Sequence, residues 1–426
     1  MYRVARSDSQ NAGISQVIEH NSYTAFRANL LVIVAVLFFA LSVVAVAQVR
    51  YVDPRDDEKY YSIAAPNTFE WTPEQRVSAF RNAEKILPSR RIPASEQPHP
   101  IPYSPTDLGN FEFQNGGETL SLDDYFSRTN VAGLLVIKDG KILYERYGLG
   151  KDENSRWISF SVAKSAVSLL IGAAIHDGYI NSIDDAATDY LARLKGSSYD
   201  QSTIRSLLQM ASGVQWNEDY DDPDSDIQTA ARFGWNTLKL YDYLSDLPRV
   251  SAPGEEFNYN TAETNLTGTL LRSAIGNNLS AYLAEKIWKP FGMEADAYWR
   301  LAEPGGGEVG GCCISATLRD YGRIGMFALS GGLLPDGTRV LPENWMNEST
   351  APSNGNDEYG YFWWLTRPGE YTAWGIYGQI IHINPDADIV IAMHSAWDIA
   401  EDEKHVAVTT AFITSLTDAV AELRSE

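Results

Sequence analysis

A serine and a lysine, Ser161 and Lys164, stand three residues apart at the start of an apolar stretch. Residues three apart on a helix share a face, so the hydroxyl and the amine can come within hydrogen-bonding distance. A lysine beside an apolar helix is partly desolvated, which lowers its pKa and lets it accept the serine proton. The start of the helix adds backbone N–H groups and partial positive charge near the nucleophile. The pattern predicts a nucleophile and its base; the alternative is a helix-capping serine with a lysine that extends to solvent.

A tyrosine and a glycine-containing segment could complete such a site. Tyr259 lies between a Pro-Gly turn and an apolar stretch that begins at Thr261, where its phenol could relay a proton to a leaving group. Gly375 lies between Trp374 and Ile376 in a segment predicted to be an edge strand, where glycine lets a backbone N–H approach a bound carbonyl oxygen. Taken singly, Tyr259 could equally be a core tyrosine and Gly375 a glycine within an ordinary strand.

The three motifs, in this order, resemble the serine β-lactamase-like hydrolases, which include class C β-lactamases, D-alanyl-D-alanine carboxypeptidases and related esterases. The resemblance is strongest to the branch of the 6-aminohexanoate-dimer hydrolases and covers residues 116–424. The segments that carry it are residues 159–165, 203–214, 217–220, 310–311, 315–320 and 359–364.

This resemblance implies roles for the residues of the three motifs. Ser161 would be the nucleophile, Lys164 its base and Tyr259 the catalytic tyrosine. The backbone N–H groups of Ser161 and Ile376 would form the oxyanion hole. Neither a metal nor an organic cofactor is implied.

The resemblance also suggests substrate-side residues. Thr261 stands where the family usually carries Asn or Ser, and it keeps a hydroxyl. Penicillin-recognising members have Lys-Thr-Gly or His-x-Gly in the third motif, where this chain has Ala373, Trp374 and Gly375. Without that cation a lactam carboxylate is poorly held, so an apolar or amide substrate is expected rather than a β-lactam. With Tyr220, which matches the pocket loop of the branch, the predicted substrate-binding residues are Tyr220, Thr261, Trp374 and Gly375.

Strand and helix patterns surround these motifs. Residues 131–137 and 141–147 are apolar segments around an Asp-Gly turn, and residues 371–384 and 388–395 repeat the arrangement near the C-terminus. The predicted helices are residues 162–177, 204–211, 261–275, 279–289, 315–329 and 402–423. The predicted fold class is therefore α/β, with an antiparallel sheet flanked by N- and C-terminal helices and an inserted helical region. The resemblance implies that this is the β-lactamase/transpeptidase-like fold.

The N-terminal part of the chain contains a membrane signal. Residues 30–47 are 18 uncharged, strongly apolar positions, near the lower limit for a membrane-spanning helix. They predict a short cytoplasmic tail at residues 1–27 and a transmembrane segment at residues 28–48. An uncleaved anchor and a signal peptide cut after Ala47 both fit. Either way we expect export: to the bacterial inner membrane with the catalytic domain in the periplasm, or to the periplasm itself.

Residues 49–115 are expected to precede a hydrolase domain at residues 116–426. A helix is predicted to start at Thr72, and a proline-rich stretch follows it, which can be neither a helix nor a central strand. The stretch is either an extended linker or a strap across the domain, anchored by Ile101 and Tyr103.

Composition excludes other classes of function. The chain has 34 Lys and Arg against 56 Asp and Glu, a net charge of −22, and no basic run, which argues against nucleic acid as a partner. The six histidines form no zinc motif, and no G-x-S-x-G elbow is present. The two cysteines, Cys312 and Cys313, are adjacent and are expected to stay unbridged.

Taken together, the sequence predicts an exported serine hydrolase that cleaves ester or amide bonds of small molecules through an acyl-enzyme. The membrane, through residues 30–47, is its other predicted partner. Two alternatives stay open: a D-amino-acid peptidase that acts on cell-wall peptides, and a non-catalytic binding protein of the same fold.

Overall fold

The strands pair into three antiparallel sheets within residues 52–63 and 67–423, the part of the chain that our computed structural model describes. The strands are β1 (Ser89–Ile92), β2 (Glu112–Asn115), β3 (Glu118–Ser121), β4 (Val131–Lys138), β5 (Lys141–Tyr147), β6 (Trp157–Ile158), β7 (Ala297–Arg300), β8 (Ile314–Ala316), β9 (Trp364–Arg367), β10 (Glu370–Gly375), β11 (Gln379–Asn384) and β12 (Ile389–Ser395). The large sheet has the order β5-β4-β12-β11-β10-β9, a smaller one has the order β1-β7-β8-β6, and β2 and β3 form a hairpin.

The large sheet is covered on both faces, which explains why its inner strand β4 is apolar from Val131 to Ile137. Every residue of β4 is buried. Leu134 and Val136 belong to the same apolar cluster as Phe412, whereas Leu135 and Ile137 belong to the cluster on the opposite face. Successive side chains of a strand point to opposite faces, so a strand covered on both sides needs apolar residues at every position.

Helices cover these faces and form the region between the two halves of the sheet. They are α1 (Asp57–Tyr61), α2 (Pro73–Arg81), α3 (Ala83–Ile86), α4 (Leu122–Arg128), α5 (Val162–His176), α6 (Ala187–Tyr190), α7 (Ile204–Leu208), α8 (Asp226–Arg232), α9 (Thr237–Asp246), α10 (Thr261–Ile275), α11 (Leu279–Leu283), α12 (Leu318–Leu329), α13 (Trp345–Ser349) and α14 (Glu403–Ala421). Helix α12 packs on β12, β11 and β4, while α14 packs on β12 and on the β2–β3 hairpin. The predicted α/β arrangement of an antiparallel sheet with flanking helices is confirmed.

The structure corrects two predicted elements near the site. Residues 371–384, predicted as one segment, form the two strands β10 and β11, which are joined by a turn. In that turn Tyr377 has φ of +60° and Gly378 has φ of +84°. Strand β10 lies inside the sheet, between β9 and β11, and is not an edge strand. Residues 315–316, predicted to start a helix, belong to β8, and α12 begins only after Thr317, whose side chain caps it.

The segment before the predicted hydrolase domain packs against it. Thr72 caps the start of α2, as the Thr-Pro pattern predicts, and it forms a capping box with Gln75. Further on, β1 pairs with β7 in the smaller sheet. The Ile142 N–H donates a 2.8 Å hydrogen bond to the Pro102 carbonyl oxygen, and Ile101 is buried. Of the two alternatives for the proline-rich stretch, the structure shows the strap.

The predicted tail, residues 1–27, and the predicted transmembrane segment, residues 28–48, lie outside the described residues. Among the helices that are described, none is both long enough and apolar enough to cross a membrane.

Candidate active site

Ser161 lies at a junction between the smaller sheet and a buried helix. It follows β6, where the Ser159 N–H donates a 2.9 Å hydrogen bond to the Ile314 carbonyl oxygen of β8. It precedes α5 at the N-cap position, but its hydroxyl makes no capping hydrogen bond. The hydroxyl instead accepts a 2.9 Å hydrogen bond from the Nζ of Lys164, one helical turn later. The alternative of a capping serine is therefore not what the structure shows.

Lys164 is almost completely buried, and acceptors surround its amine. Besides Ser161, its Nζ donates to the Thr261 hydroxyl at 3.0 Å and to the Gly311 carbonyl oxygen at 3.0 Å. Burial lowers the pKa of Lys164 to about 7, although the negative charge of Glu218 acts in the opposite direction. At neutral pH a substantial fraction of this lysine is therefore the free amine, the form that can accept a proton.

Glycine at position 311 allows this contact. A Cβ added there would lie 2.7 Å from the Thr261 carbonyl oxygen and 2.7 Å from its Cγ2, which is too close for any side chain. The Gly311 backbone can therefore lie directly against α10 and present its carbonyl to Lys164.

Glu218 lies behind Thr261 and accepts four hydrogen bonds. Its Oε1 accepts from the hydroxyls of Thr261 and Tyr220, the latter at 3.0 Å. Its Oε2 accepts from the Thr261 N–H at 3.1 Å and from the indole N–H of Trp216. Burial raises the pKa of Glu218, while the positive charge of Lys164 and these hydrogen bonds oppose the shift.

Tyr259 covers the amine from the other side. Its ring centroid lies 5.1 Å from the Nζ of Lys164, and the ring stacks on Trp364 at 5.7 Å. Burial and the nearby charge of Glu218 raise the pKa of Tyr259, whereas a hydrogen bond with Ser161 lowers it. The phenol therefore keeps its proton at neutral pH, as a general acid requires.

The backbone around Gly375, next to Ile376, lies directly against the backbone around Ser161. A Cβ added at Gly375 would lie 2.5 Å from the Ser159 carbonyl oxygen and 3.1 Å from the Ser161 amide nitrogen, so only glycine fits there. Phe160, directly before Ser161, has φ of +44°, in the left-handed region that side chains disfavour. Strained residues of this kind persist where surrounding packing enforces them, often at functional sites.

A cavity of about 580 Å³ opens at Ser161. Three tryptophans, Trp364, Trp374 and Trp397, supply much of its apolar wall. Its carboxylates are Glu218, Asp219, Asp221, Glu358 and Glu401, and no described Lys or Arg lines it. The cavity can hold a small organic substrate, and its charge is negative.

The structure brings the predicted residues together. Ser161, Tyr259, Tyr220, Trp374 and Ile376 all line the cavity. Gly375 contacts the backbone at Ser161. Lys164 does not line the cavity but lies within hydrogen-bonding distance of Ser161. Thr261, predicted on the substrate side, points its hydroxyl between Lys164 and Glu218. Among residues 52–63 and 67–423, no group of three or more His, Cys, Asp or Glu side chains is placed to hold a metal ion.

Sequence reasoning missed the parts played by Glu218 and Gly311. Both lie in segments that carry the resemblance, but neither is assigned a role by it. The available signal is weak: Glu218 is one acid within a run of acidic residues, and the spacing of a loop does not reveal which of them turns inward.

Cys312 and Cys313 follow Gly311 directly, and their sulfur atoms lie against each other. That the adjacent thiols stay unbridged remains a prediction.

Comparison with known proteins finds a matching family and a named relative. Residues 123–412, more than half of the chain, match the family model described as Beta-lactamase. A 6-aminohexanoate-dimer hydrolase of Paenarthrobacter ureafaciens is 30% identical over 298 residues, which are 65% of this chain and 75% of that protein.

Solved structures share the fold. A Bacillus anthracis protein assigned as a candidate 6-aminohexanoate-dimer hydrolase superposes with a TM-score of 0.73 at 22% identity, covering 82% of this chain and 96% of that one. A class C β-lactamase superposes with a TM-score of 0.53 at 17% identity, covering 72% of this chain and 95% of that one. At these identities the likeness bears on the fold alone.

Proposed function

The chain belongs to the beta-lactamase family, and from this premise we propose that it is a serine hydrolase acting on ester or amide bonds of small molecules. The observation that carries the proposal is the 2.9 Å hydrogen bond between the Lys164 amine and the Ser161 hydroxyl, made at the wall of a cavity. A buried lysine with a pKa of about 7 is suited to accept the serine proton.

The proposed reaction is a two-step acyl transfer. Lys164 takes the proton of Ser161, whose oxygen attacks the substrate carbonyl while the N–H groups of Ser161 and Ile376 hold the developing oxyanion. Tyr259 protonates the leaving alcohol or amine as the carbonyl–leaving group bond breaks. A water molecule then hydrolyses the acyl-enzyme, with the same groups returning their protons.

The proposed substrate carries an apolar or amide group rather than the carboxylate of a β-lactam. Ala373 occupies the position where penicillin-recognising relatives carry a cation, and the next residue, Trp374, lines the cavity with two further tryptophans. The relative from Paenarthrobacter is named as a hydrolase of the 6-aminohexanoate dimer, which supports a small amide or ester substrate here.

The proposal is tested by initial rates of the full-length protein on p-nitrophenyl esters of increasing chain length, beside Ser161→Ala. We expect hydrolysis that Ser161→Ala abolishes, with a chain-length optimum that reports the size of the cavity. Hydrolysis that persists in this variant would contradict the proposal. Release of D-alanine from a short peptide would favour the cell-wall peptidase alternative.

Export to the inner membrane or the periplasm stays a prediction, because residues 30–47 alone support it. The distribution of the protein between membrane and soluble fractions, with the N-terminal sequence of the mature chain, would test it.

A further inference from the structure

The contacts of Glu218 determine the direction of the hydrogen bonds around Lys164. Four donors surround the carboxyl group of Glu218, two on each oxygen, from Thr261, Tyr220 and Trp216. An ionised carboxylate accepts up to four hydrogen bonds and donates none. All four acceptor positions of Glu218 are thus filled by donors, as its ionised form requires.

The hydroxyl of Thr261 is therefore constrained. It donates to Oε1 of Glu218, so its single proton is already used. Towards Lys164, 3.0 Å away, the same hydroxyl oxygen can only accept. The Gly311 carbonyl, also 3.0 Å from the amine, can only accept as well.

Two hydrogens of the Lys164 amine are therefore donated to these two acceptors. A neutral amine has two hydrogens and one lone pair. With its hydrogens directed to Thr261 and Gly311, the lone pair faces the third neighbour, the Ser161 hydroxyl at 2.9 Å. That is the arrangement in which lysine can take the serine proton without first reorienting.

We propose that Glu218 is a positioning residue for nucleophile activation, which acts through the hydroxyl of Thr261 to hold the lone pair of Lys164 towards Ser161. This inference rests on the proposed function of Ser161 and Lys164, and it adds a role that the motifs do not assign. Glu218 touches neither the nucleophile nor the substrate carbonyl in this scheme; it acts by fixing the proton of Thr261.

The charge of Glu218 has a second effect, on the pH range of catalysis. The ionisable groups around it are Lys164, Tyr220, Tyr259, Tyr359 and Glu401. Of these only Lys164 is cationic, and an opposite charge favours the protonated form of lysine. Removing the charge of Glu218 therefore lowers the pKa of Lys164 further and moves the acid limb of the rate profile to lower pH.

The test compares Glu218→Gln, Thr261→Val and Thr261→Ser in the full-length protein. The first two variants should lower the plateau kcat/KM for a neutral p-nitrophenyl ester about 10- to 100-fold, the range expected when one positioned proton transfer is impaired. Thr261→Ser keeps the hydroxyl and should restore activity to within about threefold of wild type. The double variant Glu218→Gln/Thr261→Val should lose little more than either single variant, because both changes break the same connection.

The pH profile separates positioning from a merely structural role. In Glu218→Gln the acid limb should move down by about one pH unit or more, the size expected for a nearby charge in a protein interior. Glu256→Gln removes an exposed carboxylate three residues before Tyr259 and is the matched control for net charge. Its profile should coincide with that of wild type.

A measurement that needs no turnover separates the role of Glu218 from the proposed function of Ser161. The titration of Lys164, followed by NMR of ε-13C-labelled lysine and assigned with Lys164→Arg, should also move to lower pH in Glu218→Gln. An unmoved titration, or wild-type activity in Thr261→Val, would overturn the role of Glu218. A shifted titration in a protein without Ser161-dependent turnover would overturn the proposed function and leave the contact between Glu218 and Lys164 established.

Discussion

Phe160 and Tyr377 both have left-handed backbone angles, φ of +44° and +60°, and their rings pack 5.2 Å apart. Phe160 immediately precedes Ser161, and Tyr377 immediately follows Ile376. The two amides that are proposed to hold the oxyanion are thus each adjacent to a strained residue, and the two strained residues pack on each other. Phe80 of α2 packs against both rings, at 5.0 Å and 5.4 Å.

Phe80→Ala should therefore impair catalysis as well as stability. Loss of this fully buried ring should lower the free energy of unfolding by about 3–5 kcal/mol. Because the ring supports Phe160 and Tyr377, kcat should fall more than KM rises. Denaturant unfolding and steady-state kinetics at a temperature where the variant is folded would measure both effects.

Phe412→Ala is the matched control, since this ring is equally buried but packs on the opposite face of the large sheet. It should cost similar stability and leave kcat unchanged. Equal losses of kcat in the two variants would show that the effect of Phe80 is only global destabilisation.

The rate of hydrolysis should rise with pH through about 7 and then level off. Burial lowers the pKa of Lys164 to about 7, and only the neutral amine can accept the serine proton, so activity is lost as the pH falls through that value. Lys164→Arg should be slower by about 100-fold or more and lack this limb, because a guanidinium stays protonated. A wild-type profile that is flat between pH 5 and 9 would contradict the role of Lys164 as base.

The negative cavity should select substrates by charge. Among p-nitrophenyl esters of equal length with a terminal trimethylammonium, tert-butyl or carboxylate group, kcat/KM should decrease in that order. The cation gains from the carboxylates and from the tryptophan faces, and the anion is repelled. Glu401→Gln and added salt should each reduce the differences in kcat/KM among the three esters. A carboxylate ester that is the best of the three would refute this prediction.

Glu263 should make stability depend on pH. Its Oε2 is buried without a hydrogen-bond partner among the described residues, and burial raises the pKa of Glu263 to about 8. The folded protein therefore keeps this proton at pH values where the unfolded chain releases it. The resulting stabilisation is complete below the unfolded pKa of 4.5 and is lost as the pH rises through about 8.

In Glu263→Gln this dependence should disappear. Between pH 5 and 8, the unfolding free energy of wild type should fall relative to the variant by up to about 1.4 kcal/mol per pH unit. Urea unfolding of both proteins across this range would measure the difference. Parallel curves would show that Glu263 titrates normally in the folded protein.

Part of the geometry of the site follows from local spacing. The three-residue separation of Ser161 and Lys164 places them on one face of α5, and the apolar residues around them bury that face. The hairpin around Gly140 and the capped helix that starts after Thr72 are likewise local, because turn and capping chemistry is encoded within a few residues.

Contacts that join distant segments could not be predicted in this way. Glu218 lies 43 residues before Thr261, and its orientation depends on how an acidic loop folds. The turn at Tyr377 divides what reads as one apolar segment, and the Tyr377 ring packs on Phe80, which is far away in the sequence. The strap at residues 101–103 looks like a linker because its partner, Ile142, belongs to another element.

The most direct test of the account is to locate the acyl group during turnover. The full-length protein would be mixed with a slowly hydrolysed p-nitrophenyl ester, quenched in acid, and examined by intact-mass and peptide mass spectrometry. The account predicts one acyl group per chain, carried on Ser161 and absent in Ser161→Ala. Acylation of a different residue, or an equal adduct in Ser161→Ala, would contradict it.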